Sequence, residues 1–316
     1  MYGSLGNIFT FDVAAKKSTQ LTRLAVGAEA TDPAWSPDGQ RIVYAYTPPL
    51  PTTRGPGGLM PLPVTDLYVM NADGSDQKVL ITHDAPGTAY QSPVWAPDGR
   101  SLIVTYSALV VESNVVKDQM VEVARVPLGG GARQTLVPNA ILPSLSPDGM
   151  RLAYIQSDGD GQSLAIADAD GKHARVLVPA SVLGGITAPR FSPDGRQIVF
   201  SAIPPAEPAA TPTTSPPART SGAFGRPGLA WGHARVAAHG LPMDLFLVNA
   251  DGTNLRRLTR LGEDNPAATW SPDGRKLAIL AGGGLYLMNA DGSDFTSLDQ
   301  RGGHSLLDWR PNTGAK

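Results

Sequence analysis

The sequence predicts an all-β fold, a six-bladed β-propeller of four-stranded antiparallel blades. Three observations support this prediction. A Ser-Pro-Asp-Gly motif recurs along the chain, an Asn-Ala-Asp-Gly motif alternates with it, and a short apolar run follows each copy of the first motif. Repeats of roughly 40–45 residues that are rich in short strands are typical of propeller blades. We therefore expect residues 1–316 to form a single propeller domain.

The first motif indicates a turn between strands a and b of each unit. Proline presets φ at the second turn position, aspartate accepts a backbone hydrogen bond, and glycine adopts the left-handed conformation that a bulged hairpin requires. A large apolar residue precedes every copy and is expected to pack between blades. These residues are Trp35, Trp95, Leu145, Phe191 and Trp270, with Trp309 ahead of a degenerate copy.

The second motif indicates the turn between strands c and d. Its copies begin at Leu67, Leu164, Leu245 and Leu285, with looser copies from Asn7 and Met120. The apolar runs between the two motifs, such as Ile42-Val43-Tyr44, do not alternate with polar residues. This pattern predicts sheets that are covered on both faces, as a blade between two neighbours is.

The order of the half units predicts how the ring closes. The chain opens with strands c and d and ends with a strand a, so we expect the N-terminal c–d strands and the C-terminal a strand to share one blade, which removes an exposed edge. Trp309 is expected beside the strand at Ile8–Val13. The b strand of this blade comes from residues 1–4 or 312–316, or is missing. The N-terminal sequence resembles a repeat entered after strand b, which favours a part of a longer protein or a late start.

Composition excludes several classes of function. The chain has no cysteine, which excludes disulfides, thiolate catalysis and cysteine-based zinc sites. The formal net charge of −2 gives no electrostatic reason to expect nucleic acid or an anionic membrane surface as a partner. No apolar run is long enough to span a membrane, and no signal peptide is visible after Met1.

These repeats resemble the WD40-like PD40 repeats of the TolB family, whose periplasmic member has a six-bladed propeller. The resemblance covers nearly the whole chain and implies an extracytoplasmic location, periplasmic or at the cell surface. The separate N-terminal α/β domain of that family has no counterpart here. Similar repeats form the propeller of prolyl-oligopeptidase-like enzymes, whose catalytic α/β-hydrolase domain has no counterpart here either.

No motif for metal binding, cofactor binding or hydrolysis is complete. The stretch Asp168–Gly171 resembles the start of an EF-hand loop, but glycine comes at the fourth position instead of the sixth and no glutamate follows at the twelfth. His233 and His239 lack a third ligand. Gly-x-Ser-x-Gly and His-Glu-x-x-His are both absent. We therefore predict no metal, no cofactor and no catalytic residue.

The insertions predict a binding face. In a blade of alternating strands, the b–c loops and the d–a crossovers emerge together, and both turn motifs lie on the opposite face. The b–c insertions at 47–65, 107–119 and 203–243 therefore share one rim. Residues 203–243 begin with a Pro/Ala/Thr tract that is expected to be disordered. The second half is expected to dock over the channel through Phe224 and Trp231 as a lid. The alternative is that these loops are neutral decoration.

Residues that precede strand a are expected to reach the channel mouth on this face. They are Asp32, Tyr90, Gln91, Glu263, Asp264, Asn265 and His304, with Arg190 and Asp308 deeper. The preferred function is a monomeric, non-catalytic module that binds a protein or peptide there. The alternative is an enzyme or part of one. It would be either a channel-mouth hydrolase or lyase that uses Glu263, Asp264 and His304, or the propeller of a peptidase without its catalytic domain.

Overall fold

The computed structural model describes residues 1–50, 61–112, 115–159, 161–205 and 241–311, and it confirms the six-bladed β-propeller. Every regular element in these ranges is a β-strand. A helix long and apolar enough to cross a membrane does not occur in them. The segment 206–240, which includes Phe224 and Trp231, lies outside the described residues, so the predicted lid stays a prediction.

Five blades are antiparallel sheets whose four strands follow in chain order from the channel outward. Blade 2 contains β4 (Glu29–Trp35), β5 (Arg41–Thr47), β6 (Asp66–Asn71) and β7 (Lys78–Ile81). Blade 3 contains β8 (Thr88–Trp95), β9 (Ser101–Glu112), β10 (Val115–Pro127) and β11 (Gln134–Pro138). Blade 4 contains β12 (Ala140–Leu145), β13 (Arg151–Asp158), β14 (Gly161–Asp168) and β15 (Arg175–Val178).

Of the two remaining complete blades, only blade 5 carries an extra strand. Blade 5 contains β16 (Gly184–Phe191), β17 (Gln197–Ile203), β18 (Pro242–Asn249) and β19 (Arg256–Arg257). The short strand β20 (Glu263–Asp264) pairs with the start of β18. Blade 6 contains β21 (Ala267–Trp270), β22 (Lys276–Ala281), β23 (Gly284–Asn289) and β24 (Thr296–Asp299).

The seam blade combines both ends of the chain, as predicted. Its strands β1 (Tyr2–Ser4), β2 (Asn7–Asp12) and β3 (Lys17–Gln20) form a three-stranded sheet, so residues 2–4 supply strand b. The C-terminal segment takes the place of strand a through a single antiparallel bridge between Tyr2 and Leu307. The amide of Asp308 also donates to the carbonyl of Met1 over 3.1 Å. Trp309 lines a cavity of about 560 Å³ together with Phe11 and Val13, as expected.

Two faces of the ring follow from this topology, and they are named here for later use. The loop face carries the b–c loops and d–a crossovers, and the turn face carries both turn motifs. The turns form as the sequence predicts: Ser36 Oγ donates to Asp38 Oδ1 over 2.5 Å, and the same carboxylate accepts the amide of Gln40 over 3.0 Å. The motifs at Asp148, Asp194 and Asp273 repeat this pattern.

The large residues ahead of the turns pack between blades, and arginines from the preceding blade cover three of them. The guanidinium of Arg41 lies 5.1 Å from the ring centre of Trp95, and that of Arg310 lies 5.1 Å from the ring centre of Trp35. Arg151 lies 5.5 Å from Phe191 in the same way. Trp95 Nε1 also donates to the carbonyl of Ala34 over 3.3 Å. Inter-blade packing therefore combines apolar burial with a cation–π contact.

The c–d turns rest against the outer strand of the preceding blade, and this close approach gives a prediction about two glycines. Gly171 and Gly99 both have positive φ, +85° and +66°. A Cβ at Gly171 would overlap the carbonyl oxygen of Leu136, whereas a Cβ at Gly99 would meet nothing within 4 Å. We expect Gly99→Ala to cost about 1–2 kcal/mol through the left-handed conformation alone. Gly171→Ala should cost clearly more in urea unfolding, and equal costs would show that the turn does not pack as described.

Candidate functional site

The innermost strands share a bulge that shapes the channel. Three residues before the large apolar residue, each of four strands places a non-glycine residue at positive φ, and the ladder to strand b shifts register there. These residues are Asp32 (+50°), Ser92 (+49°), Leu142 (+54°) and Ala188 (+50°). A proline follows each of them in the sequence. Because proline has no N–H, the broken ladder leaves no backbone donor without a partner at that point.

Asp32 joins three blades at this level of the channel. Its Oδ2 accepts the amide of Ser92 over 3.2 Å and the Ser92 hydroxyl over 3.0 Å, and its Oδ1 accepts the amide of Leu306 over 3.1 Å. The amide of Asp32 in turn donates to Ser305 Oγ over 2.8 Å. The carboxylate therefore links blade 2 to blade 3 and to the seam blade.

A small cavity of about 90 Å³ lies on the loop-face side of this ring. Asp32, Asn265 and His304 line it, together with Ser92 and Ser305. Sequence reasoning placed the first three of these residues at the mouth, and the structure brings them together there.

Glu263 and Asp264 lie beside the same mouth but are held by blade 5. Both belong to β20, whose pairing with Pro242 and Met243 extends that blade on the loop face. The Glu263 carboxylate and the His304 ring flank the b–c turn of blade 6, since a Cβ on Gly282 would lie 3.7 Å from each of them. The Tyr286 hydroxyl lies beside the same turn, and burial together with the charge of Glu263 raises the pKa of Tyr286.

Tyr90 does not line the cavity; its side chain is buried at the interface of blades 2 and 3. The hydroxyl donates to Asp84 Oδ1 over 2.7 Å, and burial raises the pKa of Tyr90 to about 12. Arg133 lies against this group, with its guanidinium 3.4 Å from the ring centre of Tyr106. Gln91 pairs with Thr105 in the sheet and is half-buried, and it does not line the cavity either.

Arg190 and Asp308 line a different space, which we call the turn-face funnel. This cavity of about 460 Å³ lies where the five a–b turns of blades 2–6 and the C-terminal segment surround the channel, and its walls are the large apolar residues and prolines of the repeats, including Trp35, Trp95 and Trp270. Burial lowers the pKa of the Arg190 guanidinium, although the charges of Asp308 and Asp32 partly oppose that effect. Burial likewise raises the pKa of Asp308, against the opposing effects of the Trp35 amide and Arg190.

The b–c insertion at 107–119 lies on the loop face as predicted, but the sequence analysis did not predict that it forms an exposed apolar hairpin. We call the tip of this β9–β10 hairpin, residues 109–112 and 115–119, the tongue. Strand β8 pairs with β9 only as far as Ala108, and β11 pairs with β10 only from Glu122, so the tip extends beyond both neighbours. Four valines of the tongue are 41–52% exposed: Val110, Val111, Val115 and Val116. The paired valines in the sequence were the available signal.

The described residues contain no group of three or more histidine, aspartate or glutamate side chains placed to hold a metal ion. In the same ranges, the channel mouth presents the polar side chains of Asp32, Asn265 and His304.

Known proteins share both the sequence pattern and the fold. No family model matches the chain. A Tol-Pal system protein TolB from Anaeromyxobacter dehalogenans strain 2CP-C is 32% identical over 178 residues, which cover 55% of this chain and 38% of that protein. The TolB crystal structure from Acinetobacter baumannii aligns with a TM-score of 0.65 at 16% identity, over 97% of this chain and 63% of that one. This chain is a six-bladed β-propeller that is similar to TolB proteins.

The similarity to TolB is partial, because the match spans little more than a third of the length of that relative. The chain also matches the uncharacterized peptidase YuxL of Bacillus subtilis strain 168, which is 28% identical over 184 residues. That match covers 55% of this chain and 22% of the peptidase. The similarity to TolB therefore supports the propeller fold, and the ligand has to be inferred from the residues of the candidate site.

The contacts of Asp32 predict a structural role that can be separated from ligand binding. Asp32→Asn keeps a side chain that tolerates positive φ but turns one acceptor into a donor, so at least one of the amides of Ser92 and Leu306 loses its partner. We expect the free energy of unfolding to fall by about 1–3 kcal/mol. The matched control is Asp76→Asn, an exposed aspartate at φ +53°, which should change stability by less than about 0.5 kcal/mol. Equal stability of Asp32→Asn and the unsubstituted protein in urea would contradict the structural role.

Proposed function

We propose that this TolB-like propeller is a non-catalytic binding module that holds a protein or peptide partner on its loop face. The tongue is the observation that carries the proposal. Its four exposed valines divide between the two faces of the hairpin: Val111 and Val116 pair on one face and Val110 and Val115 lie on the other, with charged residues such as Glu112 and Lys117 around them. An exposed apolar surface rimmed by polar residues is typical of protein interaction sites.

The channel mouth supports the same face as the binding surface. Asn265, His304 and Glu263 present hydrogen-bonding groups beside the cavity there, and the tongue projects from the same face. Apolar contact from one element and polar contact from the other is the composition expected of a protein–protein interface. The resemblance to Tol-Pal system proteins further supports a partner that is a protein and a location outside the cytoplasm.

A second candidate function rests on the match to YuxL, which is named a peptidase. In that reading the propeller is one part of a peptidase, and the loop face guides peptides toward a catalytic domain. The Glu263–His304 pair would then contact the peptide. The two candidate functions predict different results, because the peptidase part requires that a larger assembly hydrolyse the peptide, whereas the binding module does not.

The binding role is tested with peptides selected from a random displayed library on the immobilised protein. We expect the selected peptides to lose at least about 30-fold in affinity for the double variant Val111→Asp/Val116→Asp, because apolar contacts at an interface centre contribute 2 kcal/mol or more. The control is Val176→Asp, a 52% exposed valine on the outer strand of blade 4.

The affinities are measured by calorimetry. Mass spectrometry of the recovered peptide then shows whether the protein has cleaved it. Unchanged affinity in the double variant would remove the tongue from the binding surface. Selection of no peptide above background would contradict the peptide-binding role, and cleavage of the peptide by the purified protein would contradict the non-catalytic role.

A further inference from the structure

The turn-face funnel has an uneven lining that the repeats do not require. At the position just before the large apolar residue, the blades place Ala34, Val94, Ser144, Arg190, Thr269 and Asp308 around the axis. Four of these residues are small or uncharged, and blade 5 supplies the one cation of this ring. The walls toward the turn face are tryptophan and proline side chains. The funnel is therefore an apolar cup with a guanidinium in its lining.

Arg190 uses little of its hydrogen-bonding capacity within the protein. Its Nη1 donates to the carbonyl of Pro189, its own neighbour in the chain, over 3.1 Å. Its other N–H donors meet no protein acceptor in the described ranges. A guanidinium carries five N–H donors in a planar fork that matches a carboxylate in two-point contact. Donors suited to an anion are thus available in the funnel.

Asp308 lies in the same ring but is committed to the seam. Its Oδ2 accepts the amide of Trp35 over 2.9 Å, and its Oδ1 accepts the amide of Trp309 over 2.9 Å. No ion pair within 4 Å joins it to Arg190 in the described structure. Both amides belong to large residues packed between blades, so the Asp308 carboxylate stabilises the closed seam. The donors of Arg190 remain available for a different anion.

The environment of Arg190 makes binding of an anion in the funnel favourable. Arg190 is half-buried, so its guanidinium has lost part of its hydration, and a well-placed opposite charge offsets that cost. The apolar walls lower the local dielectric beside the guanidinium and so strengthen such a contact. The volume of about 460 Å³ falls within the range of small-molecule pockets.

We propose that the turn-face funnel binds a carboxylate carried by an aromatic or aliphatic body, with Arg190 holding the carboxylate and the tryptophan and proline walls covering the body. This site lies on the face opposite the tongue and is independent of the function proposed above. The carboxylate has two possible sources, a free organic acid or the C-terminus of a peptide. The funnel opens to solvent between the turns, so both sources can reach it.

The test measures thermal stability and heteronuclear NMR shifts with 3-phenylpropionate and with its neutral amide, 3-phenylpropionamide. We expect the acid to raise the melting temperature with concentration and to shift the indole signals of the funnel tryptophans, and the amide to do neither. To distinguish the sources, a Gly-Gly-Phe peptide with a free C-terminus is compared with its amidated form. Stronger binding of the free peptide than of the acid assigns the site to peptide C-termini, and the reverse assigns it to free acids.

Variants identify Arg190 as the carboxylate ligand. Arg190→Met should lower the affinity for the acid at least about tenfold, the effect expected for losing a charge-assisted pair. Arg190→Lys should lower this affinity less. Asp308→Asn should raise the affinity for the acid roughly three- to tenfold, because a negative charge near the bound carboxylate is removed. The control is Arg196→Met, an exposed arginine on the same blade that lies outside the funnel.

Four results would overturn the proposal. They are equal effects of acid and amide, no response to either, unchanged acid affinity in Arg190→Met, or inorganic phosphate binding more tightly than the acid. Chemical shifts of the blade 5 amides distinguish a folded Arg190→Met variant from an unfolded one. If that variant unfolds, Arg190→Lys and Asp308→Asn still test the site, because unchanged affinity in both would contradict it.

Discussion

The pairing of the two chain ends in the seam blade is the interaction on which the rest of the propeller depends. A propeller blade is covered on both faces only if the ring is closed, and an open ring exposes strand edges and apolar faces to water. Here the backbone closes the ring through one bridge between Tyr2 and Leu307 and a bond from Asp308 to Met1. Side chains on both sides of the seam, such as Asp32 with Leu306 and Asp308 with Trp35, add to this closure.

The two faces of the ring differ because the repeats constrain only one of them. On the turn face, each motif must form the same hairpin, so serine, proline, aspartate and glycine recur and the large apolar residues converge on the axis. On the loop face, strands b and c need only be joined, and loop length adds little entropy cost. Variation therefore accumulates there, as in the tongue. The single cation within the turn-face ring, Arg190, stands out for the same reason.

The turns were predictable from sequence because their chemistry is local. Asp38 and Gly39 lie within one hairpin, and the motif alone determines their hydrogen bonds and φ. The number of blades was predictable too, because each blade carries its own copy of the two motifs. Closure by residues 2–4 was one of the options that the repeat order left open, since a three-residue strand leaves almost no pattern.

The site was less predictable because it depends on which way a side chain faces after a bulge. Tyr90 and Asp32 both precede a large apolar residue, yet Tyr90 is buried between blades and Asp32 faces the channel. The bulge at Ser92 changes the strict alternation of strand sides. The recurrence of proline after Asp32, Ser92, Leu142 and Ala188 marked this bulge in the sequence. Arg190 was expected to lie deeper than the mouth, but its position in the turn-face funnel depends on the convergence of all six blades.

The most direct test of the closure account compares two shortened chains by native-state hydrogen exchange. One ends at His304 and loses the segment that pairs with β1, and the other ends at Pro311 and keeps it. The account predicts that the first accelerates exchange by about tenfold or more in β1, β4 and β8 alike, because local stability around the ring depends on closure, and that the second leaves these strands protected. Acceleration confined to β1–β3 in the first chain would contradict the account, since it would show that the remaining blades are stable without a closed ring.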